Sequence, residues 1–311
     1  QHIGERDKKI LVGRERAYHG VGFGGISVGG LPLNKRHFSL LQNVDHIIST
    51  HNLEKNAFSR GLPSWGKNLA DDLLRIIEKY GADQIAAFIT EPLAGSTGVL
   101  IPPKGYLERI REICTEHDIL LIFDEVITGF GRLGTPFAVQ YFDVTPDIIV
   151  CAKGLTSGTV PMGAVIIKKE IYDAYQKEDP KTIDFFHGYT YSAHPLASAA
   201  LIATLEVYSD ENLFNNVSEL SSYWEEALHS LKGIDHVIDI RNLGLVGGIE
   251  MSSENGKVGK RGYDVFEKMF HDENILIRVT GDIIALSPPL IADKKHIDRI
   301  IDSLRRIIPL C

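Results

Sequence analysis

Three short apolar runs between helical stretches constrain the fold of this chain more than any other feature. They are residues 85–90 (IAAFIT), 119–123 (ILLIF) and 147–152 (DIIVCA). A run that is apolar at almost every position is typical of a strand that is buried on both faces. Amphipathic helical patterns at 68–80 and 105–117 precede the first two runs. The sequence therefore predicts an α/β fold, with a mostly parallel central sheet that helices cover on both faces.

The pattern changes after Pro195. Two long helical stretches are followed by shorter strands and helices, which predicts a smaller α+β domain at the C-terminus. The helical stretches are 196–208, 212–231, 262–270 and 295–308, and the strands are 236–241, 245–251, 275–279 and 283–286. We place the boundary near residue 210, so that a large domain covers 1–210 and a small one 211–311. A length of 311 residues suits two domains of this kind.

Charge, cysteine content and histidine spacing indicate which partners, compartment and metals to expect. Lys plus Arg number 33 and Asp plus Glu number 41, so the net charge is −8. This balance disfavours general binding to nucleic acid or to an anionic membrane. Three cysteines without a C-x-x-C pattern favour a reducing compartment, and we expect a cytoplasmic protein. The histidine spacings do not match a zinc site, and we predict no metal.

Three apolar strands end directly at a charged residue. Glu91, Asp124 and Lys153 follow the runs at 85–90, 119–123 and 147–152. Any one of these charges alone is more often a side chain that emerges into solvent. Together, however, they would lie at the carboxyl ends of parallel strands, where open α/β sheets bind their ligands. Apolar walls there disfavour the ammonium form of a lysine, and a neutral lysine can form a Schiff base with a carbonyl compound.

Pyridoxal phosphate is a carbonyl compound that would give Asp124 a specific task. The carboxylate of Asp124 would pair with the pyridine nitrogen of the cofactor and keep that nitrogen protonated, so that the ring can accept electrons. Val126, two residues later, could present an apolar face to the same ring, although ordinary strand packing is the simpler interpretation. Gly129 and Gly131 indicate backbone that passes close to another group.

Long motifs in order along the chain carry a resemblance to a known family. They are LLIFDEVITGFGRLG at 120–134, PDIIVCAKGLTSGTVPMGAV at 146–165 and HGYTYSAHPLA at 187–197. Together they resemble the class III, ω-type pyridoxal-phosphate-dependent aminotransferases, which have fold type I. The similarity is greatest to the β-alanine–pyruvate (ω-amino acid–pyruvate) branch and runs from about Lys9 to the C-terminus.

The resemblance implies roles for the residues already singled out. Lys153 matches the lysine that binds the cofactor as a Schiff base and moves a proton between substrate and cofactor. Asp124 matches the partner of the pyridine nitrogen. Tyr18 matches an aromatic residue that stacks on the cofactor ring, with His19 beside it. Glu91 matches a carboxylate near the phenolic side of the cofactor.

The resemblance also implies one residue that contacts a neighbouring subunit and one that binds the substrate. Thr190 matches a threonine that reaches the cofactor phosphate of the neighbouring subunit, so we expect a homodimer or homotetramer with shared active sites. Arg278 matches the arginine that grips a substrate carboxylate. In relatives acting on ornithine or γ-aminobutyrate, a glutamate pairs with that arginine, and here the corresponding position is Ser96. An arginine without this partner stays available for carboxylates.

The function implied is transfer of an amino group from an ω-amino acid such as β-alanine to pyruvate, with pyridoxal phosphate as cofactor. One alternative is another reaction on the same cofactor, such as racemisation, aminomutase chemistry or decarboxylation. Another is a catalytically incompetent fragment, because the family's phosphate-binding Gly-Ser-Glu-type turn lies before the point where this chain begins. We expect either a piece of a longer enzyme or a sequence that covers only its ordered part.

Overall fold

A computed structural model describes residues 8–176 and 187–311 and contains two separate sheets. The strands of the larger sheet are β1 (Ile10–Arg14), β2 (Val44–Ile47), β3 (Ile85–Thr90), β4 (Leu120–Asp124), β5 (Ile148–Cys151) and β6 (Ala164–Ile167). Their order is β2-β1-β3-β4-β5-β6, and all neighbours pair in parallel except β5 and β6. Every residue of β3 and β4 is buried or half-buried. The prediction of a mostly parallel sheet is confirmed.

Helices of the same half pack around this sheet. They are α1 (Phe23–Val28), α2 (Pro32–Lys35), α3 (Leu53–Asn56), α4 (Asp72–Tyr80), α5 (Tyr106–Glu116), α6 (Ala138–Phe142), α7 (Lys169–Gln176) and α8 (Pro195–Asp210). Leu73 and Ile76 of α4 and Ile110 of α5 are fully buried in one core with Phe88 and Phe123 of the sheet. Within the described ranges, no helix is both long enough and apolar enough to cross a lipid bilayer.

The second sheet has its own core. Its strands are β7 (Val237–Leu243), β8 (Val246–Met251), β9 (Arg278–Thr280) and β10 (Ile283–Leu286), paired antiparallel in the order β7-β8-β10-β9. The helices α9 (Leu213–His229), α10 (Lys260–His271) and α11 (Lys294–Ile307) pack on it. Trp224, Ile249, Val265 and Leu304 are fully buried together there. This separate core supports the division near residue 210, which stays a prediction.

The structure differs from the sequence prediction at three strands. We did not predict β1 and β2, because each is short and contains few consecutive apolar residues. The strand predicted at 275–279 forms a ladder only from Arg278 to Thr280. Its partner β10 ends at Leu286, and Pro288 and Pro289 follow almost at once. Proline cannot donate to a ladder, so no partner strand extends beside residues 275–277.

Replacement of Gly13 tests the contact between β1 and α1. A Cβ atom at Gly13 would lie 2.0 Å from the carbonyl oxygen of Val28, whereas one at Gly22 would meet nothing within 4 Å. Gly13→Ala should lower the free energy of unfolding by roughly 1–3 kcal/mol, because the helix must move away from the strand. Gly22→Ala is the control and should change it by less than about 1 kcal/mol. Urea denaturation measures both, and equal effects would contradict the contact.

Candidate active site

The carboxyl ends of β3, β4 and β5 place three ionisable groups at one edge of the large sheet. Glu91 directly follows β3, and Asp124 is the last residue of β4. Lys153 lies two residues after Cys151, the last residue of β5. These strands are neighbours and run in parallel, with Thr90 opposite Phe123 and Asp124 opposite Val150. Both carboxylates act electrostatically on the Lys153 ammonium. The structure therefore brings the three groups together, as parallel pairing requires.

Lys153 lines a cavity of about 890 Å³. Val126 and Arg278 line the same cavity. Burial lowers the pKa of Lys153, and the charge of Arg278 lowers it further, while Asp124 and Glu91 act in the opposite direction. The residue lies in the left-handed region with φ +46°, a conformation that non-glycine residues adopt rarely and that clusters at functional sites. Lys153 thus presents an amine that loses its proton more easily than an ordinary lysine.

The turn that begins at Lys153 packs tightly against the cavity wall. A Cβ atom at Gly154 would lie 2.8 Å from the Cβ atom of Phe130, so a larger residue does not fit there. The hydroxyl of Tyr208 on α8 donates to the Gly154 carbonyl at 2.6 Å. The rings of Phe130 and Tyr208 stack with centroids 6.1 Å apart. These contacts hold the backbone of Lys153 in place.

Asp124 is buried and oriented by two donors. Its Oδ2 lies 2.8 Å from Nδ1 of His19, and its Oδ1 accepts from the Val126 amide at 3.1 Å. A carboxylate only accepts hydrogen bonds, so this contact suits the tautomer of His19 that has its proton on Nδ1. The carboxylate has about four lone-pair positions, which leaves room for a further N–H donor. The other ring nitrogen of His19, Nε2, is buried and has no hydrogen-bond partner among the described residues.

Glu91 is a buried carboxyl group whose ionisation falls near neutral pH. Burial raises the pKa of Glu91 to about 7, against the charges of His19 and Arg14 and the hydrogen bond from Tyr18, which lower it. The Tyr18 amide donates to Oε2 of Glu91 at 3.1 Å, so Tyr18 joins this site through its backbone. Arg14 donates to the Glu91 carbonyl oxygen at 3.4 Å. The group can therefore gain or lose a proton under ordinary conditions.

Arg278 comes to the site from the second sheet. It is the first residue of β9, and its Nη2 donates to the carbonyl oxygen of Ser96 at 3.3 Å. Thr280 donates to the same oxygen at 3.0 Å through its hydroxyl. Across residues 8–176 and 187–311, no carboxylate forms an ion pair with Arg278. Ser96 thus contacts the arginine through its backbone, and the guanidinium stays open to the cavity.

The structure of one chain does not bring Thr190 to the other predicted residues. Thr190 lies in an exposed turn before α8 and does not line the cavity of Lys153. Its neighbours Tyr189 and Tyr191 are 76% and 78% exposed, which is unusual for large aromatic side chains. Contact of Thr190 with a neighbouring subunit stays a prediction.

Sequence reasoning missed Arg14 at this site. Arg14 ends β1, is 2% exposed, and lies beside the backbone of Glu91. The signal was the same as for the other three charges, an apolar run that ends at a charged residue. The run ILVG is only four residues long, so β1 was not recognised and its terminal charge was not considered.

Replacement of Glu91 by glutamine tests its buried environment through the pH dependence of stability. Because the pKa rises from 4.5 to about 7 on folding, the native state binds this proton more tightly than the unfolded chain. The contribution of this group to the free energy of unfolding is therefore complete below about pH 4.5. As pH rises towards about 7, the free energy of unfolding falls by up to about 3 kcal/mol. Glu91→Gln removes that loss.

The measurement compares free energies of unfolding at several pH values between about 5 and 8. The stability of Glu91→Gln relative to the unmodified protein should rise steadily with pH. Glu116→Gln, at an exposed position near the end of α5, is the matched control and should show a constant difference. A constant difference for Glu91→Gln as well would contradict the raised pKa of this buried carboxyl group.

Comparison with known proteins shows the family to which this chain belongs. A family model described as Aminotransferase class-III matches residues 1–308. The chain is 59% identical to an omega-aminotransferase of Caulobacter vibrioides over 306 residues, which are 98% of this chain and 70% of that protein. It is 45% identical to a beta-alanine–pyruvate aminotransferase of Pseudomonas aeruginosa over 305 residues, which are 97% of this chain and 67% of that protein.

Solved structures agree with the sequence comparisons. A structure described as "Transaminase with L-ala" superposes with a TM-score of 0.91 at 32% identity, covering 99% of this chain and 74% of the other. A structure described as "Directed Evolution of Transaminases By Ancestral Reconstruction" superposes with a TM-score of 0.89 at 33% identity, covering 99% of this chain and 69% of the other. The fold is therefore the fold type I of transaminases, as the sequence predicted. The chain belongs to the class III aminotransferases, and its reaction is the transfer of an amino group.

Proposed function

We propose that this chain transfers the amino group of an ω-amino acid such as β-alanine to pyruvate, with pyridoxal phosphate as its cofactor. The observation that carries the proposal is the position of Lys153 at the wall of a large cavity. Asp124 lies at the same edge of the sheet, and Arg278 lines the same cavity. A matched relative is named beta-alanine–pyruvate aminotransferase, and that name supports the choice of substrates.

The residues around Lys153 fit pyridoxal phosphate. A primary amine with a lowered pKa opens into the cavity, and the oriented carboxylate of Asp124 keeps capacity for one more N–H donor. Val126 supplies an apolar contact at the cavity wall. When bound, the cofactor supplies a carbonyl carbon for the amino group and a ring that takes up electrons from the substrate carbon.

Each residue of this group then has a distinct task. Nζ of Lys153 would hold the cofactor covalently and, once displaced by substrate, would take a proton from the substrate carbon. Asp124, held by His19, would accept the hydrogen bond of the ring nitrogen. Tyr18 would stack on the ring, and Glu91 would lie near its phenolic oxygen in a supporting role.

Arg278 would select substrates that carry a carboxylate. Its guanidinium has five donors in a planar fork, which matches the two oxygens of a carboxylate. One of its nitrogens already donates to Ser96, and the cavity side of the group is free of any described carboxylate. Both β-alanine and pyruvate have the carboxylate that this arginine requires.

A second copy of the chain would complete the site. Thr190 is exposed and lies away from the Lys153 cavity of its own chain, as a residue that serves a partner subunit must be. Tyr189, Tyr191 and Leu196 expose large apolar side chains in the same region. Such surfaces mark protein interfaces. We therefore propose a homodimer or homotetramer in which Thr190 reaches the cofactor phosphate of the neighbouring subunit.

The cytoplasm is the proposed location. Cys114, Cys151 and Cys311 are all free thiols, and the first two are buried. Free cysteines are typical of a reducing compartment.

Lys153→Ala tests the proposed function directly. Loss of the amine should abolish the visible absorbance of bound cofactor and lower amino transfer from β-alanine to pyruvate by about a thousandfold or more. Lys169→Ala is the control, since Lys169 is exposed and pairs only with Asp173 within the described residues. The measurement is alanine formed per β-alanine consumed, which is one to one for transamination. Retained turnover in Lys153→Ala would refute the assignment.

Mixed dimers test the proposed role of Thr190. Thr190→Glu should weaken cofactor binding, because the added carboxylate repels the phosphate. Co-expression of Lys153→Ala with Thr190→Glu should restore activity well above either variant alone. Each mixed dimer would contain one site with an intact Lys153 from one chain and an intact Thr190 from the other. Mixed dimers that form without restored activity would show that Thr190 serves its own chain or none.

A further inference from the structure

The loop at residues 95–99 is held by arginine side chains from outside it. Arg241 of β7 donates through Nε to the carbonyl oxygens of Gly98 and Val99, both at 3.0 Å, and through Nη2 to Gly98 at 2.7 Å. Arg16, which follows β1, donates to the Thr97 carbonyl at 3.2 Å. Backbone oxygens that have several charged donors have little freedom to move.

The same loop carries the acceptor that holds Arg278. The Ser96 carbonyl receives Arg278 Nη2 at 3.3 Å and the Thr280 hydroxyl at 3.0 Å. Ser96 lines the cavity of Lys153, whereas Arg241 lies behind the loop and does not line that cavity. The chain of contacts therefore runs from Arg241 through the loop to Arg278.

Two carboxylates fix the direction of Arg241. The residue is 5% exposed, and its Nη1 donates to Asp239 of β7 and, at 2.8 Å, to Glu250 of β8. Burial acts to raise the pKa of Glu250, but His51 and Arg241 hold it at about 2, so this carboxylate stays charged. With Nη1 occupied by the carboxylates, Nε and Nη2 point at the loop.

Gly98 shows that the loop packs tightly against its neighbours. Its φ is +115°, a value that disfavours other residues. A Cβ atom there would lie 2.7 Å from Cδ1 of Ile283 and 3.5 Å from Nη2 of Arg241. The loop therefore packs directly against β10 and against the guanidinium that holds it.

We propose that Arg241 is a positioning residue for carboxylate recognition: it fixes the 95–99 loop, so that the Ser96 carbonyl holds the Arg278 guanidinium at the cavity. This inference rests on the carboxylate-binding role proposed for Arg278. Arginine is required because its three nitrogens reach two carboxylates and two carbonyl oxygens at once. A lysine has one nitrogen with three hydrogens and cannot make the same set of contacts.

The decisive experiment measures KM and kcat for β-alanine in the holoenzyme. Arg241→Lys keeps the charge and should raise KM about tenfold while kcat changes less than about threefold, because the substrate is held less well but reacts in the same way. Arg261→Lys is the matched control. Arg261 is 8% exposed, lies in the same domain and donates to the carbonyls of Ser252 and Cys311, so KM should not change.

A double-mutant cycle separates positioning from general damage. If Arg241 acts through Arg278, adding Arg241→Lys to Arg278→Met should raise KM no further than Arg278→Met alone. Additive increases, or equal increases in Arg241→Lys and Arg261→Lys, would overturn the inference. Thr280→Val removes the other donor to the Ser96 carbonyl without leaving a buried charge, and should raise KM about threefold. An unchanged KM would show that the position of Ser96 does not control Arg278, which overturns the inference even if Arg241→Lys folds poorly.

Hydrogen exchange provides a readout that does not depend on activity. The peptide that covers residues 95–99 should exchange faster in Arg241→Lys than in the unmodified protein, and at an unchanged rate in Arg261→Lys. Unchanged exchange in Arg241→Lys would overturn the inference even if the enzyme is active. If the unmodified protein does not convert β-alanine, the proposed function fails, while faster exchange would still support the fixing of the loop by Arg241.

Discussion

Parallel pairing of β3, β4 and β5 determines where the ionisable groups of the candidate active site lie. Glu91, Asp124 and Lys153 are far apart in the sequence, yet each lies at or just beyond the carboxyl end of its strand. In an antiparallel sheet, alternate strands would end at opposite edges, and these groups could not meet. The pairing of Asp124 with Val150 places the carboxylate next to the strand that leads to Lys153. The candidate active site thus depends on the direction and register of three strands.

The buried charges at this edge affect one another. Burial alone would disfavour the charged form of each group. Burial and the nearby Arg278 make the Lys153 amine easier to deprotonate, whereas burial makes the Glu91 carboxyl harder to deprotonate. His19 stabilises Asp124 by a direct contact at 2.8 Å. The arrangement therefore provides a nucleophilic amine, an oriented carboxylate and a carboxyl group that titrates near neutrality within one site.

The sequence predicted the parts of the fold that have continuous apolar runs. The run at 85–90 coincides with β3, because a central strand needs apolar residues on both faces. Arg14 was missed since β1 is short. Arg241 was missed for a different reason: Asp239 and Arg241 alternate with apolar residues in β7, a pattern that ordinarily indicates a solvent-facing side. Here the 95–99 loop covers that side, and no local pattern predicts a contact between residues 143 positions apart.

Two of the hydrophobic cores, one against each sheet, have a consequence for selectivity. Lys153 and Asp124 belong to the large sheet, whereas Arg278 belongs to the small one. With Arg278 as the carboxylate-binding group, the amino end of a substrate meets one core and its acidic end meets the other. The number of carbon atoms between those two ends is then selected by the packing between the cores. On the proposed role of Arg278, substitutions at that junction would shift the preferred substrate length without altering Lys153, Asp124 or Arg278.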